Sequence, residues 1–240
     1  MRKSLFALAL VASFFAAAGP AAAQTLDEIV AKHHQAKGGE KWKQIQSMRI
    51  TARIVTQGIE LPMTMVMKRP NLMRQDMSFQ GVSIVQAFDG SMAWGINPMM
   101  GSSEPQEIAG PMSDALRDQA DFDGALVDYK SKGSTVELVG TEDLDGKKRH
   151  HLKLTNKNKQ VQHYYIDAVT GLEAKLVIEA DMGAGLVTIE TLLSNYQTVN
   201  GIAVPMSIQQ NAPTGQVAIT VDKVEFDVAL DDSIFKMPGK

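Results

Sequence analysis

The sequence predicts a mainly β fold: one large curled antiparallel sheet, with an N-terminal helix and a helical insert covering its concave face. Three observations predict it. From Met48 onward apolar residues recur at alternate positions, the period of a strand with one buried face. Asp89-Gly90, Asp145-Gly146, Thr170-Gly171 and Asn200-Gly201 punctuate the chain at short intervals, which is the rhythm of a meander. Helical periodicity is confined to the stretch before Met48 and to the neighbourhood of Pro111, so there is no strand–helix alternation to build a parallel sheet.

The first 23 residues read as a targeting segment. Arg2 and Lys3 precede an apolar run from Leu5 to Ala18, and Ala21-Ala22-Ala23 follows. That order is a secretory signal peptide, residues 1–23, with cleavage after Ala23. The run is too short for a membrane span, and no later segment looks like one. The sequence holds no cysteine. That rules out disulfides, thiol catalysis and a lipid anchor on an N-terminal Cys. Residues 24–240 are then one exported, periplasmic domain. Loss of Arg2 and Lys3 takes the formal charge from −3 to −5. With no basic block, nucleic acid is not an expected partner.

Each element follows from local signals. Thr25 and Glu28 form a capping box; Leu26, Ile29, Val30 and His33 continue one helical face until Gly38-Gly39 ends it. Glu40 to Gln46 makes a second short helical turn, with Trp42 and Ile45 facing the fold. Strands are expected from Met48, then over 59–68, 72–79, 82–88 and 92–96. Asp89-Gly90 is a two-residue hairpin signal. Pro98, Gly101, Ser102, Ser103 and Pro105 read as loop. Gly110-Pro111 then opens an amphipathic helix, proline standing at its first position. Met112, Ala115 and Leu116 share one face of it. Seven more strands are expected, over 135–142, 149–155, 161–167, 173–180, 186–196, 203–210 and 216–228. A sheet of ten or more strands must curl. Leaving ~400 Å² of its concave face wet costs roughly 10 kcal/mol at ~25 cal/mol/Å², so the helices are its natural lid.

Enzymatic motifs are missing. There is no GxSxG elbow, P-loop, HExxH or GxGxxG after a strand. Gly183-Ala184-Gly185 reads as a turn between strands. His33-His34 and His150-His151 are adjacent pairs whose side chains diverge. A turn centred on Lys157-Asn158 pairs Leu152 with His163 and makes His150 and His163 same-face neighbours, a weak ligand pair. Methionine thioethers suit Cu(I), but these methionines lie along strands beside Phe79, Ile84 and Trp94 rather than in short loops with histidine. Asp231-Asp232, Asp143 with Asp145, and Glu104 with Glu107 sit at turns and caps. No catalytic residue, metal or cofactor is expected.

The methionines are unevenly placed. Of the thirteen after Met1, nine lie between Met63 and Met112. Two readings stand: a core using methionine as filler, or an adaptable apolar surface, which unbranched, polarizable methionine suits.

Several stretches in order resemble a known family: "HHQAKGGEKWKQIQSM" (33–48), "QADFDGALVDYKSKGSTVELVG" (119–140), "YYIDAVTGLEAK" (164–175), "NYQTVNGIAVP" (195–205) and "LDDSIFKMP" (230–238). Together they resemble the outer-membrane lipoprotein-sorting proteins of the LolA/LolB-like superfamily over nearly the whole mature chain. The resemblance implies an incomplete β-barrel closed by helices, with a cavity for the acyl chains of lipoproteins or lipids. It implies a donor transporter in the inner membrane and an acceptor at the outer membrane. It also implies a cavity arginine, for which Arg49 and Arg53 are candidates by strand position. On this reading the cavity wall comprises Met63, Met65, Met67, Met77, Phe79, Ile84, Phe88, Met92, Trp94 and Ile96. Met112, Ala115 and Leu116 form the lid. A periplasmic carrier is the leading function; a lipid- or lipoprotein-binding sensor of the same fold and an envelope-lipid hydrolase are the alternatives.

Overall fold

The computed structural model describes residues 24–181, 185–213 and 215–239. The expected signal peptide, and most of the expected turn at Gly183-Ala184-Gly185, lie outside the described residues.

The helix α1 (Leu26–Lys37) starts on the predicted capping box: Thr25 Oγ1 accepts from the Glu28 amide, and Glu28 Oε2 accepts from the Thr25 amide at 2.8 Å. A short α2 (Glu40–Gln44) follows. The strands are β1 (Ser47–Thr56), β2 (Ile59–Lys68), β3 (Leu72–Phe79), β4 (Val82–Phe88), β5 (Ala93–Asn97) and β6 (Ser102–Ile108), then, after α3 (Pro111–Gln119), β7 (Thr135–Leu144), β8 (Lys147–Thr155), β9 (Val161–Asp167), β10 (Glu173–Asp181), β11 (Leu186–Val199), β12 (Ile202–Ala212) and β13 (Gly215–Phe226).

All thirteen strands form one antiparallel sheet in the order β6-β5-β4-β3-β2-β1-β13-β12-β11-β10-β9-β8-β7. Neighbours in the chain are neighbours in the sheet except β6 and β7, which stand at its two edges, while the β1–β13 seam joins the first strand to the last. The sheet stays open between β6 and β7, so the barrel is incomplete.

Two expectations need correction here. The loop read at 98–110 contains a strand, β6. It lies at the sheet's edge, where Pro105 forfeits no ladder hydrogen bond on its outer side. The expected two-residue turn at Asp89-Gly90 is longer. Asp89 Oδ1 accepts from the amides of Ser91 and Met92, and the Asp89 amide donates to the Met92 carbonyl. Phe88 therefore pairs with Ala93, and Met92 sits in the turn.

Both faces of the sheet are covered near one end. On the concave side, Trp42, Ile45, Leu116, Ala120 and Phe122 pack on Met67, Met73, Phe88, Ala93 and Ile202. Beside them, Ile29 of α1 and Leu126 and Tyr129 of the 120–134 connection pack on Leu152, Leu154, Tyr164 and Ile166. On the convex side, the C-terminal segment lies across β3–β5. Trp94 Nε1 donates to the Phe235 carbonyl at 2.6 Å, and Arg74 Nη1 to the Ile234 carbonyl at 2.9 Å. Among the described residues, no helix is long and apolar enough to cross a membrane.

Candidate functional site

Strand register decides which side chains line the concave face. One row crosses seven strands: Phe226, Met48, Met67, Met73, Phe88, Ala93 and Ile108. This is the row under the helices, and it forms the covered core. Further from the helices, a second apolar row runs Val221, Ala52, Met63, Met77, Ile84. A third runs Leu193, Ile208, Ile219, Ile54, Leu61. These two rows make an apolar trough on β11–β13 and β1–β4. Ala52, Ile54, Met63 and Val221 are buried along its centre; Leu61, Met77, Ile208 and Ile219 at its flanks are half-buried. The trough is filled by its own side chains. Unbranched Met63, Met77 and Met206 can turn aside without moving the strands.

The trough carries no ionisable side chain. On β1–β5 and β11–β13 alternation turns every charged residue outward, where several meet one another. Arg53 bonds Asp222 at 2.9 Å and Lys223 bonds Glu225 at 2.8 Å. Arg74 bonds Asp76 at 2.7 Å, and Glu190 bonds Lys175 of β10 at 2.6 Å. Arg49 stands opposite Glu225 on the same outer face. Neither Arg49 nor Arg53 is therefore a cavity arginine.

Of the expected wall, Met63, Met65, Met67, Met77, Phe79, Ile84 and Phe88 fall on the concave face. Trp94 and Ile96 do not. Phe88 pairs with Ala93, so Trp94 pairs with Ala87 and Ile96 with Val85, on the convex face. There they pack with Met237. Met92 belongs to the β4–β5 turn. The expected lid is also revised. Leu116 is 2% exposed and seals the cluster with Ala120, but Met112 is 46% exposed and Ala115 is exposed too. Sequence reasoning also missed Ile54 and Val221 at the trough's centre and Leu61 and Ile219 beside them. Their alternation was legible; what brings them together is the β1–β13 seam.

The structure shows how the covering segments are held. The Arg69 guanidinium grips Asp123 with two hydrogen bonds of 2.6 and 2.7 Å. It also donates to the carbonyls of Ile45 and Trp42, and lies 4.5 Å from the Phe122 ring centre. One side chain on the β2–β3 turn thus ties α2 to the connection after α3. Burial raises the Asp123 pKa, but the Arg69 hydrogen bonds, the Arg69 and Lys132 charges and the Trp42 indole N–H together outweigh it and hold the carboxyl below its ordinary value.

Buried titratable groups cluster where α1 meets the β9–β10 turn. His33, 4% exposed, has its Nδ1 2.9 Å from the Gly171 carbonyl. Burial, with help from the Lys37 charge, pushes its pKa down to about 4. Burial raises Glu173 to about 7 against the pull of Lys37. The other histidines do not pair as expected. Leu152 stands opposite Tyr164 and Lys153 opposite His163. That moves His163 to the outer face with His151, and His151 Nε2 lies 2.8 Å from His163 Nδ1. His151 Nδ1 is engaged by Glu142 at 2.6 Å. Among the described residues, no group of three or more His, Asp or Glu could hold a metal ion. A cleft lies between α1 and Leu126–Asp128; Val30, Ala31, Leu126 and Val127 give it a mostly apolar lining, with Asp27, His34 and Lys43 beside them.

An open antiparallel sheet wrapped round covering helices is a fold this chain shares with solved structures, a LolA superfamily protein among them. Three solved structures carry this likeness. A LolA superfamily protein from Nitrosomonas europaea matches at TM-score 0.62 and 14% identity, covering 89% of this chain and 98% of that one. A putative outer membrane lipoprotein-sorting protein domain from Vibrio parahaemolyticus matches at TM-score 0.59 and 13% identity, over 87% and 94%. A DUF1329 family protein from Desulfovibrio piger matches at TM-score 0.59 and 16% identity, over 87% and 97%. At these identities the likeness is one of fold. No protein-family model and no curated protein matches the sequence.

Proposed function

We propose that this protein is a periplasmic carrier that holds acyl chains of lipoproteins or lipids in the trough and delivers them toward the outer membrane. The observation that carries the proposal is the pair of unbroken apolar rows across β11–β13 and β1–β4, floored by aliphatic and methionine side chains and free of charge. The fold shared with a LolA superfamily protein supports it. A 16-carbon chain gains ~12 kcal/mol gross on burial at ~0.8 kcal/mol per CH₂. To enter, the chain displaces the Met63, Met77 and Met206 side chains that fill the trough, which unbranched methionine allows. Loading and unloading fall to partners at the two membranes, and residues 1–23 serve as the export signal.

The test is to purify the mature protein from the envelope, extract it with organic solvent and identify acyl species by mass spectrometry. Transfer of a labelled acyl lipid from the protein to acceptor vesicles is then followed. The carrier reading expects bound lipid and measurable transfer. Bound lipid that is retained favours a sensor; no acyl species and no uptake overturns the trough as a lipid site.

A further inference from the structure

The trough is not uniformly apolar. Between the covered row and the Met63 row lies another, running Val224, Ile50, Met65, Gln75, Gln86 and Gly95. Its β13–β2 part is aliphatic and thioether; its β3–β4 part carries two carboxamides directly opposite one another. Asn97, on β5, alternates with Gly95 and so shares the concave face. Three carboxamides thus stand on three adjacent strands beside the apolar rows.

They are poorly satisfied by the protein. The Gln75 amide donates only to the Met77 sulfur, at 3.4 Å, and a thioether is a weak acceptor. Gln86 makes no side-chain hydrogen bond among the described residues. Asn97 Oδ1 is buried with no partner. On the opposite wing the same chemistry is closed: Gln210 Nε2 donates to Thr191 Oγ1. Gln75 and Gln86 are half-buried, and of the three only Asn97 Oδ1 is a buried atom without a partner, which costs stability unless something completes it. No lysine or arginine on β1–β5 or β11–β13 faces the trough. A carboxylate or phosphate entering it would be desolvated with no counter-charge, which is strongly unfavourable.

From this juxtaposition we propose that Gln75 and Gln86 form a seat for an uncharged carbonyl, the ester or amide that joins an acyl chain to the rest of its molecule, with Asn97 Oδ1 placed to accept from the N–H where the link is an amide, and that the trough discriminates against free fatty acids. The inference rests on the carrier reading and adds the chemical form of the cargo. The Gln75 and Gln86 amides donate to the carbonyl oxygen while the hydrocarbon lies along Met63, Met77 and Ile54. Each neutral hydrogen bond is worth about 1 kcal/mol, close to fivefold in affinity.

The experiment is competitive displacement of an environment-sensitive apolar dye from the mature protein at pH 8, by methyl palmitate, palmitamide and palmitate, in wild type and variants. Wild type is expected to bind the ester and the amide about tenfold or more tighter than palmitate. Gln75→Met with Gln86→Met conserves volume, and is expected to weaken ester binding by about tenfold or more while leaving the dye bound. Gln86→Lys supplies a cation and is expected to reverse the preference toward palmitate. Equal or tighter palmitate binding by wild type, or an unchanged ester affinity in the double variant, overturns the seat but leaves the trough standing. Binding of no acyl compound, together with no dye uptake, overturns the carrier reading and the seat with it.

Discussion

His33 and Glu173 sit at the same junction, where α1 meets the β9–β10 turn, and they respond to pH in opposite directions. The folded His33 titrates at about 4 against an ordinary 6.5. Between those values the unfolded chain takes up a proton that the folded one refuses, so stability falls as pH falls. The folded Glu173 titrates at about 7 against an ordinary 4.5. Between those values the folded chain keeps a proton that the unfolded one has released, so stability falls as pH rises. Each limb is worth on the order of 2–3 kcal/mol. Glu173→Gln should flatten the loss between pH 4.5 and 7 and leave the protein more stable than wild type at pH 8. His33→Gln should flatten the acid limb alone. Urea midpoints measured from pH 4 to 8 check both. Arg69 works by shape rather than titration. Arg69→Lys keeps the charge but loses the fork that reaches Asp123 and two carbonyls at once. It should cost about 3 kcal/mol, read as a lowered thermal midpoint.

Single elements divide between the covering helices and the sheet. Leu116 is the one predicted lid residue that seals the covered row, so Leu116→Ala should cost about 2–4 kcal/mol. It should also speed dye entry in stopped-flow fluorescence, whereas Met112→Ala, on the exposed face of α3, should change neither. In β2, changing Met63, Met65 and Met67 together to Val should preserve the fold, since β-branched residues suit strands. It should narrow the range of chain lengths held, because valine cannot turn aside as methionine does. A panel of acyl esters of different length measures this; an unchanged range would return these methionines to plain core. The strands themselves were legible from alternation and turn residues, and α1 from its cap. β6 was not, because Pro105 and the serines around it speak against a strand everywhere except at a sheet edge. Trp94 and Ile96 are expected in the concave wall; counting pairs across the β4–β5 hairpin puts them outside, under Phe235 and Met237.

At the scale of the whole molecule, the decisive feature is the β1–β13 seam. It pairs Ile54 with Ile219 and Ala52 with Val221, residues far apart in the chain, and it creates the trough's centre from strands that a meander alone would leave at opposite edges. Local periodicity cannot announce such a pairing, since it depends on the sheet curling until its two halves meet. What the sequence did make legible was the two-faced character of each strand, hence an apolar concave surface somewhere, and a helical insert to cover part of it. The seam fixes where that surface is deepest. The same segregation sends the charged residues of these strands outward, into pairs such as Arg53–Asp222, and leaves the inside to hydrocarbon and carboxamides. The central claim is that acyl chains lie inside this trough. Photo-crosslinking with a diazirine-bearing acyl ester, mapped by peptide mass spectrometry, tests it most directly. The account predicts labels on Ile54, Leu61, Met63 and Met77 and none on Trp94 or Ile96; labelling of the outer face with the trough untouched would contradict it.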